Sequence, residues 1–307
     1  MNHAYFRPLP PLDSFVDFFW STDRYEARTA RERVLPTGSA AIVVHLAEHS
    51  MRVAAADAAA LSCVGGAVLC GARTTPLVLD TSVLGPTVGI HFKAGGLRPF
   101  LDVHAEEVAE QATSLEALWG PIVQTLRDQL QAQPLHLERA RLMEHFLLRQ
   151  ARRPLAQRHA LRESLSLFEL PELESVAEVN RRTGLSPKRL LALFREEVGL
   201  CPKSYWRIRR FRAALQDLDA GIMRGAPLAA QHGYCDQAHF LREFVHVQVR
   251  ARANTWPRGC LEQITSRSIR ARKRGSGKNI QYRAARMSFA PGHASDRSPL
   301  RFTSARA

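Results

Sequence analysis

The sequence predicts an α+β chain: an antiparallel β domain with amphipathic helices over residues 1–150, then an all-α unit over residues 158–258. Three observations lead there. Residues 33–100 are short apolar runs punctuated by Gly and Pro. From about residue 104 the apolar period becomes helical, and after residue 174 a helix–turn–helix segment occurs twice.

Taken in order, "RVLPTGSAAIVVHLAE", "LSCVGGAVLCG", "PLVLDTSVLG" and "TVGIHFKAGG" mix β-branched residues with turn formers, which suits an antiparallel sandwich or barrel. Leu115, Leu118, Trp119, Ile122, Val123, Leu126 and Leu130 then form one helical stripe, and Leu135, Leu142, Phe146 and Leu147 a second. Such helices can pack on the β domain or on a second subunit. The basic stretch "ARRPLAQRHALRE" (151–163) marks the domain boundary. Residues 262–307, rich in Ser, Gly and Arg, are expected to lack a fixed fold.

Charge divides along the same lines. The net formal charge is −3 for residues 1–150, +8 for 151–261 and +9 for 262–307. A polyanion bound by the C-terminal half accounts for that asymmetry, because Lys and Arg gain affinity by displacing phosphate counterions. No apolar run reaches the roughly 18 residues of a membrane span, and Asp13 and Asp17 interrupt the N-terminal apolar stretch; a cytoplasmic protein is expected. Five cysteines at 63, 70, 201, 235 and 260 include no C-x-x-C pair, so neither a disulfide framework nor a zinc ribbon is indicated.

The repeat is the most specific feature. In "SVAEVNRRTGLSPKRLLALFREEVG" (175–199), Ser175 and Glu178 form a capping box and Gly184 closes the first helix. Ser186 caps a second helix with Pro187 in its first turn, and Leu190, Leu193 and Phe194 give it a buried face. The stretch "GYCDQAHFLREF" repeats the unit: Asp236 answers Ser186, Phe240 answers Leu190, Leu241 answers Leu191, Phe244 answers Phe194 and Gly233 answers Gly184. Between them, Tyr205, Ile208, Phe211, Leu215 and Leu218 lie on one face of a connecting helix. A rigid connection of this kind can set two reading helices in successive major grooves, about 34 Å apart.

Together, "SVAEV…TGLSPKRLLALFRE" and "GYCDQAHFLREF" resemble the double helix-turn-helix domain of AraC/XylS-type bacterial transcription regulators over roughly residues 158–246. The stretch "GIHFKAGGLRPFLDVHAEEVAEQATSLEALWG" (89–120) is similar to the sensor half of a subgroup in which a cupin-like β domain comes first. The resemblance implies a sequence-specific regulator of transcription that binds double-stranded DNA. A small-molecule effector, RNA polymerase and a second copy of the chain are its further candidate partners. No cofactor, metal or catalytic residue is implied.

The outward residues of the first reading helix are Lys188, Arg189, Leu191, Ala192 and Arg195; those of the second are Gln237, Ala238, His239, Leu241 and Arg242. Arg and Lys can donate to guanine, Gln can pair with adenine, and Leu191 and Ala192 can offer apolar contact to thymine methyls. Arg207, Arg209 and Arg210 on the connecting helix suit phosphates, which position without specifying sequence.

Three features depart from the family pattern. Asn180 replaces the Ala that lets two helices approach, and Pro227 restricts the first helix of the second unit to a short one. After Phe244, the alternation of Val245, Val247 and Val249 reads as a strand, without the Gly and Pro expected to follow. Two other readings follow from the residues: a metal-dependent cupin-type enzyme with a DNA-binding appendage, and a diverged regulator with impaired specific binding. The first would draw on His45, His49 and His91, which read more naturally as structural or solvated. "GSGKN" lacks the Gly and Ser/Thr of a phosphate loop. Trp20, Phe92, His91 and Arg98 read as core or surface before ligand contacts.

Overall fold

The computed structural model describes residues 3–24, 31–47, 51–55, 62–80, 85–219, 221–222 and 225–248. In chain order its strands are β1 (His3–Phe6), β2 (Val16–Thr22), β3 (Arg31–Val34), β4 (Ala41–His45) and β5 (Met51–Ala55). They continue as β6 (Ser62–Val64), β7 (Ala67–Cys70), β8 (Leu77–Asp80), β9 (Thr87–Phe92) and β10 (Ala112–Ser114). One antiparallel sheet has the order β1-β2-β9-β4-β7-β10 and the other β3-β8-β5-β6.

Side-chain alternation sorts the two faces of the larger sheet. Ile42, Val44, Leu69, Val88, Ile90 and Phe92 point into the main core, closed by α1 (Leu115–Trp119), α2 (Ile122–Ala132) and α3 (His136–Arg149). On the opposite face Val43, Val68 and Cys70 meet Val53, Val64, Leu77 and Leu79 of the smaller sheet. The N-terminal part is therefore a two-sheet sandwich with helices on its outer side.

The elements differ from the sequence reading at four places. β1 and β2 precede the predicted strand region; β2 was hidden because Val16 and Phe19 enter the core while Phe18 stacks on His91 across the sheet, so no clean alternation shows. The run "RVLPTGSAAIVVHLAE" yields two strands in different sheets. The single stripe from Leu115 to Leu130 breaks into two helices at Gly120, whose φ is +77°, and Pro121. After Phe244 the backbone is helical to Gln248, not extended, since no Gly or Pro stops it there; residues 249–307, including the tail, lie outside the described residues.

Among the described residues, six helices make up the C-terminal part: α4 (His159–Leu167), α5 (Val176–Thr183), α6 (Pro187–Glu197), α7 (Pro202–Asp219), α8 (Gly225–Gln231) and α9 (Gln237–Gln248). Pro227 sits in the first turn of the seven-residue α8, the short helix that its missing N–H requires. No helix among the described residues is long and apolar enough to cross a membrane.

Candidate nucleic-acid interface

Each unit is assembled by local chemistry. Ser175 caps α5 by accepting from the Glu178 amide at 3.2 Å, and Glu178 in turn accepts from the Glu174 amide at 3.3 Å. Gly184 turns the chain at φ +68°, and Ser186 caps α6 by accepting from the Arg189 amide at 3.3 Å. The second unit repeats this: Gly233 turns at the same φ of +68°, and Asp236 accepts from the His239 amide at 2.5 Å. A left-handed turn favours glycine because a Cβ there costs energy.

The helix α7 belongs to both units. Tyr205 and Ile208 from its first half complete the core of the first unit with Val179, Leu190, Leu193 and Phe194. Phe211 and Ala214 from its second half complete the core of the second with Leu228, Ala229, Tyr234 and Phe240. At 1.5 Å per residue its 18 residues span about 27 Å. Because each half is buried in a different core, the helices α6 and α9 are held by one rigid strut. Burial pushes the Tyr205 and Tyr234 hydroxyls up to about 12, so both stay neutral at ordinary pH.

On α6, Lys188, Arg189, Ala192 and Arg195 are exposed and Leu191 is half-buried beside them, while Leu190, Leu193 and Phe194 face inward. On α9, Arg242 is exposed, and Gln237 and His239 are half-buried. The His239 ring faces the Cys235 amide at 3.4 Å through Nδ1. That contact uses Nδ1 as acceptor and leaves Nε2 with the proton.

Three of the four arginines of α7, Arg207, Arg209 and Arg210, are engaged within the chain. Arg210 is held between Trp206 and Tyr234, its guanidinium carbon 4.7 and 4.8 Å from the two ring centres, and donates to the Gly233 carbonyl at 3.1 Å. Arg207 Nε lies 2.9 Å from Glu243 Oε1; neither atom meets hydrogen-bond geometry, so this is a Coulombic pair. Arg209 pairs with Glu169 at 3.2 Å in an exposed setting. Arg210 thereby fastens α7 to the turn of the second unit, a role the sequence signalled only through the i, i+4 spacing of Trp206 and Arg210. Asn180 Oδ1 is buried without a hydrogen-bond partner.

The N-terminal part touches both units. Ala72 joins the core of the first and Leu35 packs on the core of the second. His91 Nε2 faces the Ser39 hydroxyl at 3.4 Å, while its Nδ1 lies 3.4 Å from Asp17 without meeting hydrogen-bond geometry; Arg98 donates to the Leu101 carbonyl at 2.9 Å through one terminal nitrogen, and its Nε is buried without a partner. Phe92 is core, and Trp20 is half-buried with Phe18 as a ring neighbour. His45 is 3% exposed, and burial, helped by the charge of Arg127, pulls its pKa down to about 4. Among the described residues no three His, Cys, Asp or Glu side chains are grouped to hold a metal; His49 lies outside them.

Comparison with known proteins gives two family matches. Residues 179–248 match a helix-turn-helix domain, and residues 4–114 match a domain of unknown function, DUF6597. No curated protein matches the chain. Among solved structures, ToxT from Vibrio cholerae is similar at 9% identity, with 76% of this chain and 96% of that chain covered and a TM-score of 0.43. ToxT of the same organism bound to (E)-4-(8-methylnaphthalen-1-yl)but-3-enoic acid is similar at 8% identity, covering 80% and 95% with a TM-score of 0.41. Its unsaturated-fatty-acid-bound form is similar at 10% identity, covering 73% and 94% with a TM-score of 0.37.

Proposed function

We propose that this chain, with a helix-turn-helix match behind an N-terminal β sandwich, is an AraC-type regulator that binds double-stranded DNA sequence-specifically in the control of transcription. The observation that carries this is the pair of capped units sharing α7: one strut fixes the separation of α6 and α9. Fixed separation is what two helices need to enter successive major grooves on one face of a duplex.

Residues 1–150 act as the sensor and dimerisation domain for an unidentified small molecule, and residues 158–258 as the DNA-binding domain. The protein works in the cytoplasm as a regulator and not as an enzyme, with RNA polymerase and a second copy as its further partners. Lys188, Arg189 and Arg195 meet phosphate or guanine, and Leu191 and Ala192 meet thymine methyls. Gln237, His239 and Arg242 supply the richer base-reading set, with His239 donating from Nε2. Arg209 can exchange Glu169 for a phosphate because its pair is exposed, whereas Arg207 and Arg210 hold the two units together.

Selection of duplexes from a random pool by the full chain, followed by affinity measurement at two salt concentrations, tests this. Enrichment of two half-sites about one helical turn apart is expected, and no preference over random DNA at physiological salt would sink the proposal. On the selected duplex, Arg242→Ala should cost about 1–3 kcal/mol at one base step. An equal loss on all sequences would make Arg242 a phosphate contact.

A further inference from the structure

The last turn of α6 is gripped from the N-terminal side. A 3-10 turn, Ala105–Glu107, lies against α6. Gly199, which follows α6 at φ +89°, packs so closely there that a Cβ would stand 2.7 Å from the Ala105 carbonyl oxygen. Glu196 accepts from Arg158 at 2.9 and 2.8 Å and lies 3.8 Å from Arg98, a side chain of the N-terminal part. Beside this grip, Glu106 Oε2 stands 3.7 Å from Arg195 Nε, with the side chains 44% and 55% exposed.

The neighbours of Glu106 have local duties. Glu107 accepts from the His104 amide at 2.8 Å, and Glu110 accepts from Thr74 at 2.6 and 2.5 Å. Glu106 instead reaches across to a reading-helix cation. Arg195 closes the outward stripe of Lys188, Ala192 and Arg195, which runs about 10 Å along α6 at 1.5 Å per residue. A guanidinium at the end of such a stripe is placed for the backbone that flanks a groove, and a carboxylate offers it the same anionic oxygens as a phosphate.

On the reading that α6 enters a DNA groove, we propose that Glu106 is an autoinhibitory stand-in for a DNA phosphate, held against Arg195 by the N-terminal domain. DNA must displace it to engage the first unit fully. The sensor domain thus weakens binding through one exposed ion pair, a graded brake and not a block. Any movement that withdraws the turn Ala105–Glu107 from α6 releases Arg195 and removes a like charge from the phosphate path.

The test uses the full chain and a random-sequence duplex, because phosphate contacts carry no sequence information. Wild type, Glu106→Gln, Arg195→Ala and the double variant are titrated over a salt series. Glu106→Gln should bind about 3-fold tighter at low salt. Its slope of log affinity against log salt should steepen by about 0.9, one more neutralised phosphate. Glu106→Ala should do the same, and neither change should alter binding once Arg195 is Ala. If wild type binds the duplex and Glu106→Gln matches it in affinity and slope, the brake is refuted; a gain that persists without Arg195 refutes it equally. If no variant binds any duplex at low salt, the DNA-binding reading itself fails and this inference falls with it.

Discussion

Replacing Asn180 by Ala should make the protein more stable. Asn180 lies in α5, and its Oδ1 is buried without a partner. A buried acceptor left unpaired costs about 1–3 kcal/mol. Asn is also up to about 0.7 kcal/mol worse than Ala inside a helix. Truncation to Ala removes both penalties and forfeits little apolar contact, so a gain of about 2 kcal/mol is expected. Urea unfolding followed by far-ultraviolet circular dichroism measures it, and a higher midpoint at unchanged slope is the signature. Asn180→Asp is the control of opposite sign, since a carboxylate at the same place loses more hydration than an amide. An unchanged or lower midpoint for Asn180→Ala would refute the reasoning, because it would mean that Oδ1 has a hydrogen bond worth keeping.

Three further outcomes are expected. His45, with its pKa lowered to about 4 in the folded chain, must take up a proton on unfolding between about pH 6.5 and 4. The unfolded state binds more protons in that window, so stability falls as pH falls. Wild type should lose about 2 kcal/mol more than His45→Gln between pH 7 and pH 5 by urea unfolding; equal losses would show that the imidazole is not desolvated. Arg210→Ala removes two ring contacts and a charged hydrogen bond and should cost about 2–3 kcal/mol in thermal or urea unfolding, and Arg210→Lys should rescue little of it because the flat guanidinium is what stacks. Gly199→Ala should destabilise by at least about 1 kcal/mol, since both its φ of +89° and the Ala105 carbonyl oppose a Cβ; a neutral result in calorimetry would mean the turn and α6 can part freely.

Sequence alone was enough for the parts built by short-range rules. Capping at Ser175, Ser186 and Asp236, the glycine turns at 184 and 233, the short α8 and the buried face of α7 all follow from residues within a few positions of each other. Their signals are local because the hydrogen bonds and the helical period that create them are local. The fault at Asn180 was legible only against the family pattern, which has Ala there.

The tertiary structure decided what depends on distant neighbours. β2 escaped the pattern because both of its faces are covered, and the extended reading beyond Phe244 failed because alternating valines do not outweigh an unbroken helix. The stacking of Arg210 on Tyr234 joins residues 24 positions apart, which no local pattern shows. Glu106 carried no signal at all: its meaning comes from Arg195, far along the chain and brought near only when the turn Ala105–Glu107 docks on α6. Periodicity and capping are written into neighbouring residues, whereas the partner of a surface charge is fixed only when distant parts of the chain meet.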